Sequence, residues 1–180
     1  MSKVNDLLNA PGPINYDSID YHLAWTAENP NYYKHEYVPS GETVERYKSM
    51  LLLELLTGNA SVKDAAASQA WLISKRKKTD PVANMSLSAK NDSEELLLDF
   101  VMSARDAKGE LIVEWNAYRY LPYTGPDGEK GVLLFAISRR AYGDTDTMAF
   151  MKQLKEIRSH NLKALVKTPV PVVSLNKAKK

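Results

Sequence analysis

The chain has 180 residues, of which 44% are hydrophobic and 26% are charged, with 9 prolines, 8 glycines and a net charge of +2. This composition is typical of one folded domain and far from that of an intrinsically disordered chain. The absence of cysteine excludes disulfides, thiol catalysis and cysteine-based zinc sites.

The first half of the chain predicts three strands. Residues 1–19 predict an irregular lead-in, and alternation from residue 20 predicts a first strand with Leu23 and Trp25 on the same face. A second strand over residues 32–38 can form a hairpin with the first. The apolar run over residues 50–56 is too short for a typical helix and predicts a buried third strand.

An Ala-rich helix follows over residues 62–76, because apolar residues recur at helical spacing. Ser61 and Asp64 have the spacing of a capping box at its start. The cationic run Lys75–Lys78 suits the negative end of the helix dipole.

The second half predicts a meander of four strands and a last helix. The strands are expected near residues 85–89, 96–103, 110–121 and 132–140. Asp144 or Asp146 is expected to cap the helix, which ends at about Asn161. Pro169 and Pro171 then favour an extended end.

The order of these elements predicts an α+β fold. We expect an antiparallel β-sheet of about six to seven strands with two main helices packed on it, an αβα-type sandwich. The expected divisions are an irregular N-terminal lead-in (1–19), a single α+β domain (20–168) and an extended basic tail (169–180).

One segment resembles a known family. Residues 36–47 read Glu-Tyr-Val-Pro-Ser-Gly-Glu-Thr-Val-Glu-Arg-Tyr, which resembles the Glu-Tyr-x-Pro-x-Gly-Glu-Thr-x-x-x-Trp signature of small bacterial envelope proteins in the PsbP-like superfamily. That superfamily includes the extrinsic subunit of photosystem II and a Ran-binding nuclear import factor. Tyr47 stands where the family usually has Trp. The resemblance implies a PsbP-like fold and a non-enzymatic binding or assembly role, often in the periplasm.

The motif also has a purely structural interpretation. Pro39 presets its φ angle, Gly41 permits a positive φ angle, and Glu42 followed by Thr43 starts a turn. These residue types therefore suit a connection between strands without any ligand.

Aromatic residues and one arginine are the candidate binding residues. Tyrosine and arginine are favoured at the centres of interfaces, although an aromatic stripe equally suits a packed core. The candidates are Tyr118, Arg119, Tyr120, Tyr123, Tyr37, Tyr47 and Glu42.

We predict no catalytic residues, no metal ligands and no cofactor, because the chain contains no recognised catalytic or metal-binding motif. Asp99 and Glu114 lie on neighbouring predicted strands and are the best lead for acid/base chemistry. His22 and His35 could meet across the first hairpin as a pH-sensitive pair.

The sequence therefore favours a non-catalytic binding or assembly module of the bacterial envelope with another protein as partner. The alternative is a small-molecule-binding protein or weak hydrolase with a pocket between helix and sheet. We expect no nucleic-acid partner, because the basic stretches are narrower than a typical nucleic-acid footprint.

The apolar runs are far shorter than the ~20 residues that cross a bilayer, so no transmembrane segment is expected. The location is expected to be periplasmic or envelope-associated if an upstream leader has been removed, and otherwise cytoplasmic.

Overall fold

The computed structural model describes residues 4–176 and contains one antiparallel sheet of eight strands. The strands are β1 (Ile14–Tyr16), β2 (Ile19–Asn29), β3 (Tyr32–Pro39), β4 (Ser49–Thr57), β5 (Asn84–Ala89), β6 (Leu96–Arg105), β7 (Leu111–Thr124) and β8 (Lys130–Tyr142). Their order across the sheet is β1-β2-β3-β4-β8-β7-β6-β5. The two halves of the chain therefore join where β4 pairs with β8.

Three helices accompany the sheet: α1 (Val62–Arg76), α2 (Gly143–Lys152) and α3 (Leu154–Lys167). The predicted capping box at the start of α1 is confirmed. The Ser61 hydroxyl accepts from the Asp64 backbone N–H at 3.1 Å, and the Asp64 carboxylate accepts from the Ser61 backbone N–H at 3.1 Å. Among residues 4–176, no helix combines the length and the apolarity needed to cross a bilayer.

One face of the sheet is covered by α1 and is called the α1 face. Helix residues Val62, Ala66 and Ile73 are buried in one cluster with Leu52 of β4 and Leu134 of β8. Each fully buried valine, leucine or isoleucine side chain contributes about 1.5–3 kcal/mol relative to exposure. This apolar contact fixes α1 over the sheet.

The opposite face is covered by α2, α3 and the described terminal segments, where Leu8 and Val173 are buried, and is called the α2/α3 face. Phe150 of α2 and Leu165 of α3 pack in one cluster with Leu53 of β4 and Phe135 of β8. Because successive side chains of a strand point to opposite faces, β4 supplies leucines to both clusters. The uninterrupted apolar run in its sequence is explained by this double burial.

The α+β class is confirmed, but the structure has eight strands and three helices where six to seven strands and two helices were predicted. The additional strand, β1, lies within residues 1–19, which were predicted to be irregular, and β2 also begins there. β1 is only three residues long. A turn in which Asp17 and Ser18 have positive φ angles follows it and leads into β2. So short a segment has no detectable alternation.

The prediction of a single last helix that ends near Asn161 is wrong. The chain leaves helical geometry at Gln153, with φ −97° and ψ 5°, so α2 and α3 are separate helices and α3 continues to Lys167. Asp144 and Asp146 lie in the first turn of α2, but neither caps it, because its N-cap position is Tyr142. Their carboxylates still suit the positive end of the helix dipole.

The face predicted for Trp25 is also wrong. The register of β2 against β3 shifts between Leu23 and Trp25, which indicates a bulge at Ala24. Trp25 consequently lies opposite Glu36, whereas Leu23 lies opposite Tyr37 on the other face.

The segment after α3 packs against the N-terminal segment. Val173 is buried, and the Ser174 backbone N–H donates to the Leu8 carbonyl at 3.0 Å. The basic residues of the predicted tail, Lys177, Lys179 and Lys180, and residues 1–3 of the predicted lead-in lie outside the described residues.

Candidate binding cleft between helix α1 and the sheet

A cleft of about 230 Å³ lies between α1 and the α1 face of the sheet, and we call it the α1 cleft. It is lined by Tyr32, Glu54, Leu56, Ala65, Ser68, Gln69, Leu72, Tyr118, Tyr120, Val132 and Leu134. Four strands and one helix therefore contribute to a single concave site, and such a site is the usual place for a small ligand.

The sequence of α1 explains why a space remains under it. Ala65 and Ser68 line the cleft with short side chains, whereas Val62, Ala66 and Ile73 fill the contact with the sheet. Small side chains at one edge of an otherwise packed helix face leave the facing tyrosines uncovered.

Tyr118 and Tyr120 form an aromatic pair in the cleft, which Tyr32 also lines. Their rings lie 6.1 Å apart in an edge-to-face arrangement, and Tyr118 packs in the same way on the buried ring of Phe100 at 5.0 Å. Burial raises the pKa of both phenols, so both are neutral hydrogen-bond donors at ordinary pH. Neither hydroxyl hydrogen-bonds to another group within residues 4–176, so both are available to a ligand.

Glu54 is the charged group of the cleft. It interrupts the leucines of β4, lies opposite Lys34 of β3 and Leu134 of β8, and keeps its side chain 19% exposed. Burial is the main cause that raises the pKa of its carboxyl, while Lys34 opposes the rise. Sequence reasoning missed Glu54, although a lone acidic residue inside a leucine run was the available signal.

Of the seven predicted binding residues, the structure brings only Tyr118 and Tyr120 into this cleft. Arg119 points to the opposite face, where its guanidinium contacts the carboxylate of Glu95 at 3.2 Å. Tyr123 is buried on that face, with its hydroxyl 3.5 Å from the Val173 carbonyl. The alternation of the strand separates Arg119 and Tyr123 from Tyr118 and Tyr120.

Tyr37 and Glu42 have structural roles. The fully buried Tyr37 donates its hydroxyl proton to the Ala10 carbonyl at 2.6 Å. The Glu42 carboxylate accepts from the backbone N–H groups of Lys48, at 2.7 Å, and Ser49, at 3.3 Å. Both therefore hold chain segments in place.

The turn before Glu42 has the geometry predicted from the motif. Gly41 has φ +86°, and the Glu42 backbone N–H donates to the Pro39 carbonyl at 3.1 Å. The motif therefore shapes the connection from β3 to β4.

Tyr47 belongs to a buried polar network on the α1 face, outside the cleft. Its hydroxyl lies 3.2 Å from the Glu114 carboxylate and 3.0 Å from the Ser138 hydroxyl. Glu114 also pairs with Arg140 and accepts from the Asn116 side chain at 2.8 Å. Each group is satisfied by a neighbour, so the network explains the burial of Glu114.

Asp99 and Glu114 are not brought together. Asp99 lies on the α2/α3 face, where Arg158 donates to its carboxylate at 2.6 Å and 3.0 Å and the Trp115 indole N–H donates at 3.1 Å. Glu114 lies on the other side of the sheet. Two carboxylates on opposite faces of a sheet cannot act on one substrate.

The predicted pairing of His22 with His35 is wrong. His22 lies opposite Val38 and is exposed, whereas His35 lies opposite Thr26 and is fully buried. Throughout the described range 4–176, no three His, Asp or Glu side chains are arranged to hold a metal ion.

Comparison with known proteins gives a family but no functional relative. No curated protein and no solved structure matches the chain. A protein-family model matches residues 8–170, which span all the strands and helices of the domain. The chain therefore belongs to that family.

Proposed function

We propose that this domain is a non-catalytic binding module that holds a small molecule in the α1 cleft. The observation that carries the proposal is that Tyr118, Tyr120 and the carboxylate of Glu54 line one space of about 230 Å³ whose remaining walls are mainly apolar. Ligand sites typically combine apolar walls with a few polar groups in this way. The carboxylates considered for catalysis lie elsewhere and are fully paired.

Thermal shift against a panel of small metabolites tests this proposal. A ligand that binds the folded state raises the unfolding midpoint by mass action. We expect Ala65→Leu to remove the ligand-induced rise, because the larger side chain fills the cleft. Ala67→Leu is the matched control, since Ala67 is exposed and does not line the cleft.

The readout is the rise relative to the ligand-free midpoint of the same variant, so a change in basal stability does not affect it. A rise of equal size in Ala65→Leu and Ala67→Leu would place the ligand elsewhere and contradict the proposal.

A second candidate function is docking of a protein partner in an envelope assembly. It is favoured by two large exposed apolar side chains of α1, Trp71 and Leu72, which are 58% and 53% exposed. Trp71→Ser should abolish capture of a defined partner from envelope extract, with the exposed Met148→Ser on α2 as the control. Equal capture by the parent and both variants would exclude this surface.

The PsbP-like relationship and an envelope location are part of this proposal. They are supported by the motif over residues 36–47 and by its use as the connection between β3 and β4. Sequencing the coding region upstream of Met1 tests the location, because a leader there would direct the chain to the envelope.

A further inference from the structure

We infer that the α1 cleft selects a ligand carrying a positively charged amine or quaternary ammonium group. This inference rests on the proposed function and adds the chemical class of the ligand. It follows from the charge, the aromatic surface and the size of the cleft.

The charge of the cleft is negative. Glu54 alone among its lining residues is ionisable near neutral pH, and the lining includes no lysine or arginine. Two carboxylates, Glu36 and Glu54, flank the single ammonium of Lys34 at 2.9 Å and 3.7 Å. Two carboxylates therefore share one cation, and the longer contact leaves Glu54 the less fully paired of the two.

The aromatic surface also suits a cation. Tyr32, Tyr118 and Tyr120 line the same space as Glu54, and Tyr32 interacts directly with the Glu54 carboxylate. The negative face of an aromatic ring attracts an ammonium group, and the attraction grows when water is excluded. A carboxylate beside three phenol rings thus supplies both partners that an ammonium group prefers.

The same features disfavour an anionic head group. A second carboxylate or a phosphate would meet Glu54 without a lining cation to balance it, in a partly buried site where unpaired charge is costly. A neutral polar group could use the hydroxyls of Tyr118 and Tyr120, but it would leave the charge of Glu54 uncompensated.

The size of the cleft restricts the ligand further. Pockets for drug-sized molecules measure about 300–1,000 Å³, whereas this cleft measures about 230 Å³. Leu56, Leu72 and Val132 supply the apolar walls. The site therefore accommodates a small alkylamine or the ammonium end of a larger molecule whose remainder extends past the exposed Leu72.

Three probes of the same shape and different charge test the inference: neopentylamine, neopentyl alcohol and pivalate. Dissociation constants are measured on the full chain by titrating backbone amide chemical shifts at neutral pH, where the amine is protonated. We expect the ammonium to bind about tenfold more tightly than the alcohol, which corresponds to about 1.4 kcal/mol. Pivalate should not shift the lining residues.

Variants with opposite expected effects make the test specific. Glu54→Gln should reduce the affinity for the amine to that for the alcohol, whereas Glu28→Gln, an exposed residue of β2 on the opposite face, should change neither. Lys34→Met should tighten amine binding severalfold, because it removes the cation that competes for Glu54.

The outcomes separate this inference from the proposed function. Equal affinity for the amine and the alcohol, or an unchanged preference in Glu54→Gln, would overturn the cation selectivity while leaving a small-molecule site. No shift of any lining residue with all three probes would overturn the proposed function itself.

Discussion

The backbone N–H of Leu7 donates a hydrogen bond of 3.0 Å to Nε2 of His35, so a fully buried imidazole holds the N-terminal segment against the sheet. Because the Tyr37 hydroxyl donates to the Ala10 carbonyl, it accepts from Nδ1–H of His35 at 3.0 Å. Nε2 is then free of a proton and accepts from Leu7. The geometry therefore requires a neutral His35.

Acidification should destabilise this arrangement. Burial lowers the pKa of His35, and the carboxylate of Asp6, 3.8 Å from Nε2, only opposes that shift. Below about pH 6.5 the unfolded chain binds the proton more readily than the folded chain. The free energy of unfolding therefore decreases as the pH is lowered. Urea titrations at a series of pH values across this range measure the decrease.

Two histidine variants serve as the test and the control for that decrease. His35→Leu should flatten the profile, because it removes the titrating group. His22→Leu should leave the profile unchanged, since His22 is exposed. A parent protein equally stable on both sides of pH 6.5 would contradict the assignment of His35.

The pair between Asp99 and Arg158 should respond asymmetrically to substitution. The Asp99 side chain is 9% exposed and that of Arg158 is 37% exposed. Arg158→Met leaves a buried carboxylate with only the Trp115 indole and should cost about 3 kcal/mol. Asp99→Asn should cost less, about 1–2 kcal/mol, because Arg158 can then turn to water.

A double-mutant cycle in denaturant checks this asymmetry. The two single costs should sum to more than the cost of the double variant, because each single change leaves the other partner unpaired. Additive costs, or a larger loss in Asp99→Asn, would contradict this account of the pair.

Much of the fold could be predicted from local patterns. The alternation of the second half and the capping box at Ser61 and Asp64 are local signals, and the structure confirms them. Local signals failed where the element was too short, as at β1. They also failed where a one-residue bulge at Ala24 places Trp25 on the other face of the sheet.

The candidate site was harder to predict, because it depends on register and on what covers each face. Asp99 pairs with Ala117 and Glu114 with Met102, so the two acids lie on opposite faces. A register shifted by one residue would have placed them on the same face. The sequence likewise shows Glu54 among leucines, but only the position of α1 determines that its carboxylate enters a cleft.

Tyr47→Phe should destabilise the domain by about 1–2 kcal/mol, because Glu114 and Ser138 each lose a buried hydrogen-bonding partner. Tyr33→Phe is the control, since the hydroxyl of this partly buried tyrosine has no hydrogen-bond partner within residues 4–176. Urea unfolding of both variants measures the difference. Equal stability of the two variants would show that the hydroxyl of Tyr47 contributes nothing.

Glu54→Leu should stabilise the domain while removing its preference for a cationic ligand. Because burial raises the pKa of Glu54, the folded chain binds the proton more readily than the unfolded chain. The ionised carboxylate therefore costs stability as pH rises above the unfolded value of about 4.3. Leucine is similar in size, and Lys34 keeps its contact with Glu36, so the expected gain is about 1 kcal/mol near neutral pH.

The gain should shrink on acidification, because protonated Glu54 no longer carries the cost. Glu28→Leu, at an exposed position, should change stability by less than about 0.5 kcal/mol at any pH. A Glu54→Leu variant less stable than the parent would mean that the carboxylate stabilises the fold, and its presence in the leucine run would then need no ligand. Greater stability without the acid instead indicates that β4 retains Glu54 for binding.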